Sequence, residues 1–370
     1  MAMDLRAQKP MLLILYVAIF CVLTASANQV RGQSQTAAPI FIFGDSTMDV
    51  GTNNHIKNCT ARSDHPYYGI DFPGSKATGR FSNGHNTADT IVQLLGGYDL
   101  SPLPYLALVE SGSNVTRGVV KGANFASGGA GLSKGIGQDF YGQVVSMDEQ
   151  VQQFALVRGN ITALLGQSRA DSLLQSSMYI FSIGGNDLMT YIFTHPMTPE
   201  QFVVNLTDTY AIHLKNLYSM GARKFGILGI PPIGCCPIAR SMSPGGACSN
   251  ETNDLARACH PSFESLLKNL SSTLPGFKYS LANTYNMTMN VINNKIGFKD
   301  FESACCADKT AQGLSECKKG VHLCDKRDDY LFWDAFHPTE KASKLAASAF
   351  VYSTDPNFVS PINFGDLRKA

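Results

Sequence analysis

Five short apolar runs, each bounded by Gly, Pro or Asn, restrict what this chain can fold into more than any other feature. They are PIFIFG (39–44), VVKGANFA (119–126), SMYIFSIGG (177–185), KFGILGIPP (224–232) and FKYSLAN (277–283). Continuous runs of this length read as strands buried on both faces. Helical patterns lie between them. Ala88, Ile91, Val92 and Leu95 mark one over 87–95, and Phe202, Val203, Leu206, Tyr210, Leu214 and Leu217 mark another within 198–220. Two more cover 253–270 and 339–352. Strands alternating with helices predict a mostly parallel, doubly wound sheet in a three-layer α/β/α sandwich. Such sheets bind ligands beyond the carboxyl ends of their strands, so the polar residues there are the candidates for chemistry.

The chain has 370 residues, of which 44% are hydrophobic and 16% charged, enough apolar material for a large core. Thirty Lys and Arg balance 29 Asp and Glu, so no basic excess points to a nucleic-acid partner. Arg6 and Lys9 precede the apolar run MLLILYVAIFCVL (11–23), which is followed by Ala25-Ser26-Ala27. This pattern predicts a cleaved signal peptide over 1–27 and a single domain over 28–370. The run falls short of the roughly 20 apolar residues that span a bilayer, so no transmembrane anchor is expected after cleavage.

A secretory route changes the meaning of the cysteines. Cys21 leaves with the signal, and nine remain: Cys59, Cys235, Cys236, Cys248, Cys259, Cys305, Cys306, Cys317 and Cys324. Eight of the nine follow residue 230, so the C-terminal third is expected to be stapled, with at least one thiol left over. Connectivity and oligomeric state are not legible. Seven sequons, at Asn58, Asn114, Asn160, Asn205, Asn250, Asn269 and Asn286, are candidates for N-glycosylation.

Four strand ends carry the chemistry-bearing residues. The first run ends Gly44-Asp45-Ser46-Thr47, which would expose the Ser46 hydroxyl and place its backbone N–H at the start of a helix-compatible segment. Asn124–Gly131 is a Gly-rich turn able to aim a bare backbone N–H into a site. Gly184-Gly185-Asn186-Asp187 puts an Asn amide at the third strand end, and an amide with two backbone N–H groups can make an oxyanion hole. Asp334 and His337 stand three apart in WDAFHP, where a carboxylate can take the imidazole Nδ1–H and leave Nε2 as a base. The elbow G-x-S-x-G, the H-E-x-x-H motif and the P-loop are absent, and no metal or cofactor is called for.

At these residues the chain resembles the plant GDSL esterases/lipases, a branch of the SGNH hydrolases. FIFGDSTMDVGTNN, ASGGAG, GGND and LFWDAFHP resemble four blocks of that family in order, and PYYGIDFPGSKATGRFSNG and GIPPIGC resemble the stretches between them. The resemblance implies a flavodoxin-like three-layer fold and metal-free serine ester hydrolysis. It implies Ser46 as nucleophile, His337 as general base and acid, and Asp334 as its orienting partner. It implies the N–H of Ser46, the N–H of Gly129 and the side chain of Asn186 as oxyanion donors, with Gly129 preferred to Gly128. Thr47 stands where the family's name has Leu. The expected substrate is a small or polymer-bound ester. An acyl lipid comes first, an acetylated wall polysaccharide or acyl transfer second, and a catalytically silent glycan-binding protein is the reading from another class. The expected address is extracellular, at the cell wall or apoplast, with the vacuole as the alternative. Specificity is expected from the loops 52–85 and 131–150.

Overall fold

The computed structural model describes residues 38–370 except 113–117 and 311–312. The expected signal peptide and the sequon at Asn114 lie outside the described residues. All five apolar runs form strands: β1 (Ile40–Gly44), β2 (Gly122–Asn124), β3 (Met178–Ser182), β4 (Lys224–Leu228) and β5 (Lys278–Ala282). They pair in parallel in the order β5-β4-β3-β1-β2, and a two-residue strand, Val359–Ser360, closes the β5 edge antiparallel. Strand order reverses between β1 and β3, the position at which such sheets open a crevice at their carboxyl ends.

Side-chain alternation along the strands sorts the core into two layers. Phe41, Phe43, Tyr179, Phe181 and Phe225 face one side and pack on α2 (Met147–Leu165), α4 (Pro199–Ser219) and α5 (Asn250–Thr273). Phe43 stacks between Phe125 and Phe181, with ring centroids 4.8 and 5.0 Å away. Ile40, Ile42, Met178 and Ile180 face the other side and pack on α1 (Thr87–Leu95), α7 (Glu340–Tyr352) and the terminal helix Phe364–Lys369. The result is the three-layer α/β/α sandwich with a mostly parallel sheet.

Two further helices start at strand ends. α3 (Gly185–Thr194) follows β3, and α6 (Thr284–Asn293) follows β5. Neither is marked by a long apolar period. α2 opens on a capping box in which Ser146 and Glu149 satisfy each other's backbone N–H groups.

Six cysteines pair in the C-terminal third: Cys235–Cys248, Cys305–Cys324 and Cys306–Cys317. Cys59, Cys236 and Cys259 are free and buried. The latter two staples clamp the segment before the WDAFHP turn. Cys305 N–H donates to Phe332 O, and Cys306 N–H donates to Trp333 O at 2.7 Å. Of the described sequon asparagines, Asn58, Asn205, Asn250, Asn269 and Asn286 are exposed and Asn160 is half-buried. Among the described residues, no helix is long and apolar enough to cross a membrane.

Candidate active site

The end of β1 is shaped by its closeness to β3. A Cβ at Gly44 would collide with the Ser182 carbonyl, so only glycine fits there. The buried Gln150 amide of α2 then holds Gly44 from both sides, accepting from its N–H at 2.9 Å and donating to its carbonyl at 2.8 Å. The apolar pattern does not mark Gln150, because an inward-facing polar residue breaks the period of the helix that carries it. Ser46 follows on a single turn in which Met48 and Asp49 N–H groups bond to the Asp45 carbonyl. The expected helix does not form here. Met48 and Val50 turn into the core, and Gly51, at φ 126°, takes the chain away.

At the opposite wall, Trp333 to His337 forms a tight turn. Trp333 N–H donates to His337 O at 2.8 Å. The Asp334 Oδ1 atom accepts from the backbone N–H groups of Phe336 and His337 at 2.9 and 2.7 Å. Its two oxygens lie 2.9 and 2.8 Å from His337 Nδ1. The far nitrogen of the same ring, Nε2, lies 2.7 Å from Ser46 Oγ. Hydroxyl, imidazole and carboxylate thus form one continuous chain across 291 residues of sequence. Burial pushes the Asp334 carboxyl up, but the facing His337 and the hydrogen bonds from His337 and Phe336 outweigh it and hold it below the usual range. His55, His85 and His195 also pair with carboxylates, Glu110, Glu340 and Glu251, yet none of them reaches a serine hydroxyl.

The Gly-rich turn is clamped by two buried carboxylates. Asp49 accepts from the N–H groups of Gly51, Thr52 and Gly128 at 2.8, 2.7 and 2.9 Å. Asp187 accepts from Leu132 and Ser133 N–H, both at 2.8 Å. Between these anchors, Asn186 Nδ2 donates one hydrogen to Ala130 O at 2.9 Å. The Gly128 N–H is therefore committed to Asp49. Among the described residues, the N–H groups of Ser46 and Gly129 have no protein acceptor. Gly129 sits at φ 85°, a conformation that favours glycine, and a Cβ there would press on the Tyr141 ring.

An apolar cavity of about 330 Å³ opens from this point. Asp45, Ser46, Asn186 and His337 are among the residues that line it. Its walls come from α6, α7, the 228–233 turn and the segments around Phe298 and Phe332. None of its lining residues comes from the loops 52–85 and 131–150. Tyr67, Tyr68, Phe72 and Tyr141 all lie off the cavity. Among the described residues, no group of three or more His, Cys, Asp or Glu side chains is arranged to hold a metal ion.

Asp45, beside the nucleophile candidate, carries a consequence for stability. Burial raises its carboxyl from 3.8 to about 6, against the hydrogen bonds from Thr47 and the facing His337 that lower it, with Asp187 adding to the rise. The native state thus binds a proton that the unfolded chain has already released between these values. Stability from this group falls as pH rises from about 4 through about 6, and the deficit then stays constant. Asp45→Asn should therefore gain about 2–3 kcal/mol over wild type between pH 4 and pH 8. Urea unfolding of both proteins at the two pH values checks this; an equal difference at both would refute it.

A hydroxyl, imidazole and carboxylate in one chain at the switch point of this sheet define the class: a three-layer α/β/α hydrolase of the SGNH type. The sequence model described as GDSL-like Lipase/Acylhydrolase matches residues 40–350. GDSL esterase/lipase At5g37690 of Arabidopsis thaliana is 36% identical over 360 residues, covering 94% of this chain and 98% of that protein. GDSL esterase/lipase LTL1 of the same plant is 31% identical over 357 residues, covering 94% of each. The chain belongs to the GDSL lipase/acylhydrolase family and is a carboxylic ester hydrolase.

Proposed function

We propose that this chain is a secreted serine esterase that cleaves esters of apolar acyl groups. Ser46 is the nucleophile, His337 the proton carrier and Asp334 its orienting partner. His337 Nε2 takes the hydroxyl proton as Oγ attacks the ester carbonyl. The tetrahedral oxyanion is stabilised by the N–H of Ser46, the N–H of Gly129 and the Asn186 amide hydrogen not used on Ala130. His337 then gives its proton to the leaving alcohol, and water repeats the sequence on the acyl-enzyme. Asp49 and Asp187 hold the Gly129 loop so that its N–H is already in place, which spares reorganisation during reaction.

The observation that carries the reading is the 2.7 Å contact between Ser46 Oγ and His337 Nε2 on the wall of an apolar cavity. An acetyl group would leave most of that cavity unfilled, whereas an alkyl chain gains by burying each methylene. This favours acyl esters over acetylated polysaccharide. Three disulfides and exposed sequons support a secretory route ending outside the cell, with residues 1–27 as the cleaved signal and glycans at the exposed asparagines.

The test is a p-nitrophenyl ester series from acetyl to palmitoyl, on wild type and Ser46→Ala. Activity rising beyond acetyl and vanishing in the variant is expected. Preference for acetyl over every longer chain would refute the acyl assignment. Activity retained in Ser46→Ala would refute the serine mechanism.

A further inference from the structure

We propose that the Tyr68 hydroxyl is a positioning group that fixes the Asp334 carboxylate and, through it, sets how strongly His337 holds its proton. The proposal rests on the reading of Ser46, His337 and Asp334 as the reacting chain.

The two oxygens of Asp334 are held differently. Oδ1 has two backbone donors from its own turn. Among the described residues Oδ2 has one donor besides the imidazole, the Tyr68 hydroxyl at 2.8 Å, from a segment 266 residues away. Tyr68 has little freedom to leave. Its side chain is buried in the cluster that holds both cystines of the 305–324 segment. Its ring lies edge-on to Phe81, Trp333 and His65, with centroids 6.0, 6.5 and 5.3 Å away. Phe81 in turn lies 4.9 Å from the His337 ring. The loop that carries Tyr68 and Phe81 therefore grips both members of the pair.

The titratable groups around the pair are few. Asp45 faces His337, Tyr141 and Cys236 face Asp334, and Glu316 faces Tyr68. Burial raises Tyr141 and pushes the Cys236 thiol up to about 12, so both stay neutral. Burial first, then the Asp334 charge, raises the Tyr68 hydroxyl well above its ordinary value. It stays protonated and remains a donor at every working pH. A donor on Oδ2 draws charge away from the face that meets Nδ1–H. Without it, the carboxylate stabilises the imidazolium more strongly. The imidazolium formed during attack is then held more tightly and gives its proton to a leaving alcohol less readily.

The experiment compares wild type, Tyr68→Phe, Asp334→Asn and the double variant. kcat/KM is followed against pH on a p-nitrophenyl ester. kcat is followed on an ethyl ester, whose leaving alcohol must be protonated. Tyr68→Phe keeps the ring and its packing. Its acid limb should move up by about 0.5–1 pH unit and its ethyl-ester kcat should fall about two- to tenfold. On the Asp334→Asn background the same change should do nothing further. 3-Fluorotyrosine at position 68, a stronger donor of nearly the same shape, should move the limb down, and this keeps the test decisive even where Tyr68→Phe folds poorly. A limb that moves with neither replacement overturns the proposal, even if kcat falls, because packing alone then accounts for the loss. Ser46→Ala is assayed alongside. Activity retained there removes the underlying reading, whereas activity lost there with an unmoved limb removes only Tyr68.

Discussion

Ser46→Ala is expected to lower kcat on its best ester by about 10⁵–10⁶, and His337→Ala by a similar factor. The two losses should not add. Once the hydroxyl is gone, the imidazole has no nucleophile to deprotonate. Without the imidazole, the hydroxyl loses the one base that, among the described residues, lies within hydrogen-bond reach of it. The double variant should therefore match the worse single variant, with a residue of activity left by the oxyanion donors. Folding should survive. Ser46 is partly exposed, and among the described residues its hydroxyl bonds only to His337, so its loss costs about 1 kcal/mol or less. Steady-state kinetics of the three variants, with thermal unfolding beside them, make the check. A double variant a further hundredfold below both singles would mean that the two groups act independently, and the shared proton transfer would have to be abandoned.

The parts of this site that were legible from sequence are those whose physical cause is local. β1 and β3 are buried on both faces, and such a strand shows as an unbroken apolar run ending where the site begins. Asp334 and His337 share a turn, so their pairing needed no knowledge of the fold. α2 was hidden because the inward-facing Gln150 and the exposed Leu156 and Leu164 blur its period. The Ser146-x-x-Glu149 box before it was the available signal. The helix expected after Ser46 failed for a tertiary reason: Met48 is wholly buried under the sheet end, and that burial outweighs local preference. Tyr68 could not have been found at all. It is one aromatic among several in its loop, and only the folded chain brings its hydroxyl to Asp334. The same holds for the cavity. Its walls come from α6, α7, the 228–233 turn and the segments around Phe298 and Phe332, which only the folded chain brings together.

Asn186→Ala is expected to cost about 10²–10³ in kcat while KM changes little, because the missing hydrogen bond forms only when the carbonyl oxygen becomes an anion. Asn186 begins α3 directly beyond β3, so its amide is carried on a rigid element. One amide hydrogen is held by Ala130 O at 2.9 Å, which fixes the direction of the other. That bond also ties α3 to the Gly129 loop, so alanine could in principle act by loosening Gly129. Asn186→Asp separates the two effects. It is nearly isosteric but offers no donor and sets a negative charge where the oxyanion would form, so it should be at least as inactive as alanine. Restoring substantial activity with aspartate would show that shape, rather than hydrogen-bond donation, is what position 186 supplies. If both variants are crippled, unfold within a few degrees of wild type and keep the substrate KM, the loss belongs to the transition state. The third donor is then a side chain that the β3 end aims at the carbonyl beside Ser46, and this leaves Gly129 as the position where backbone alone must do the same.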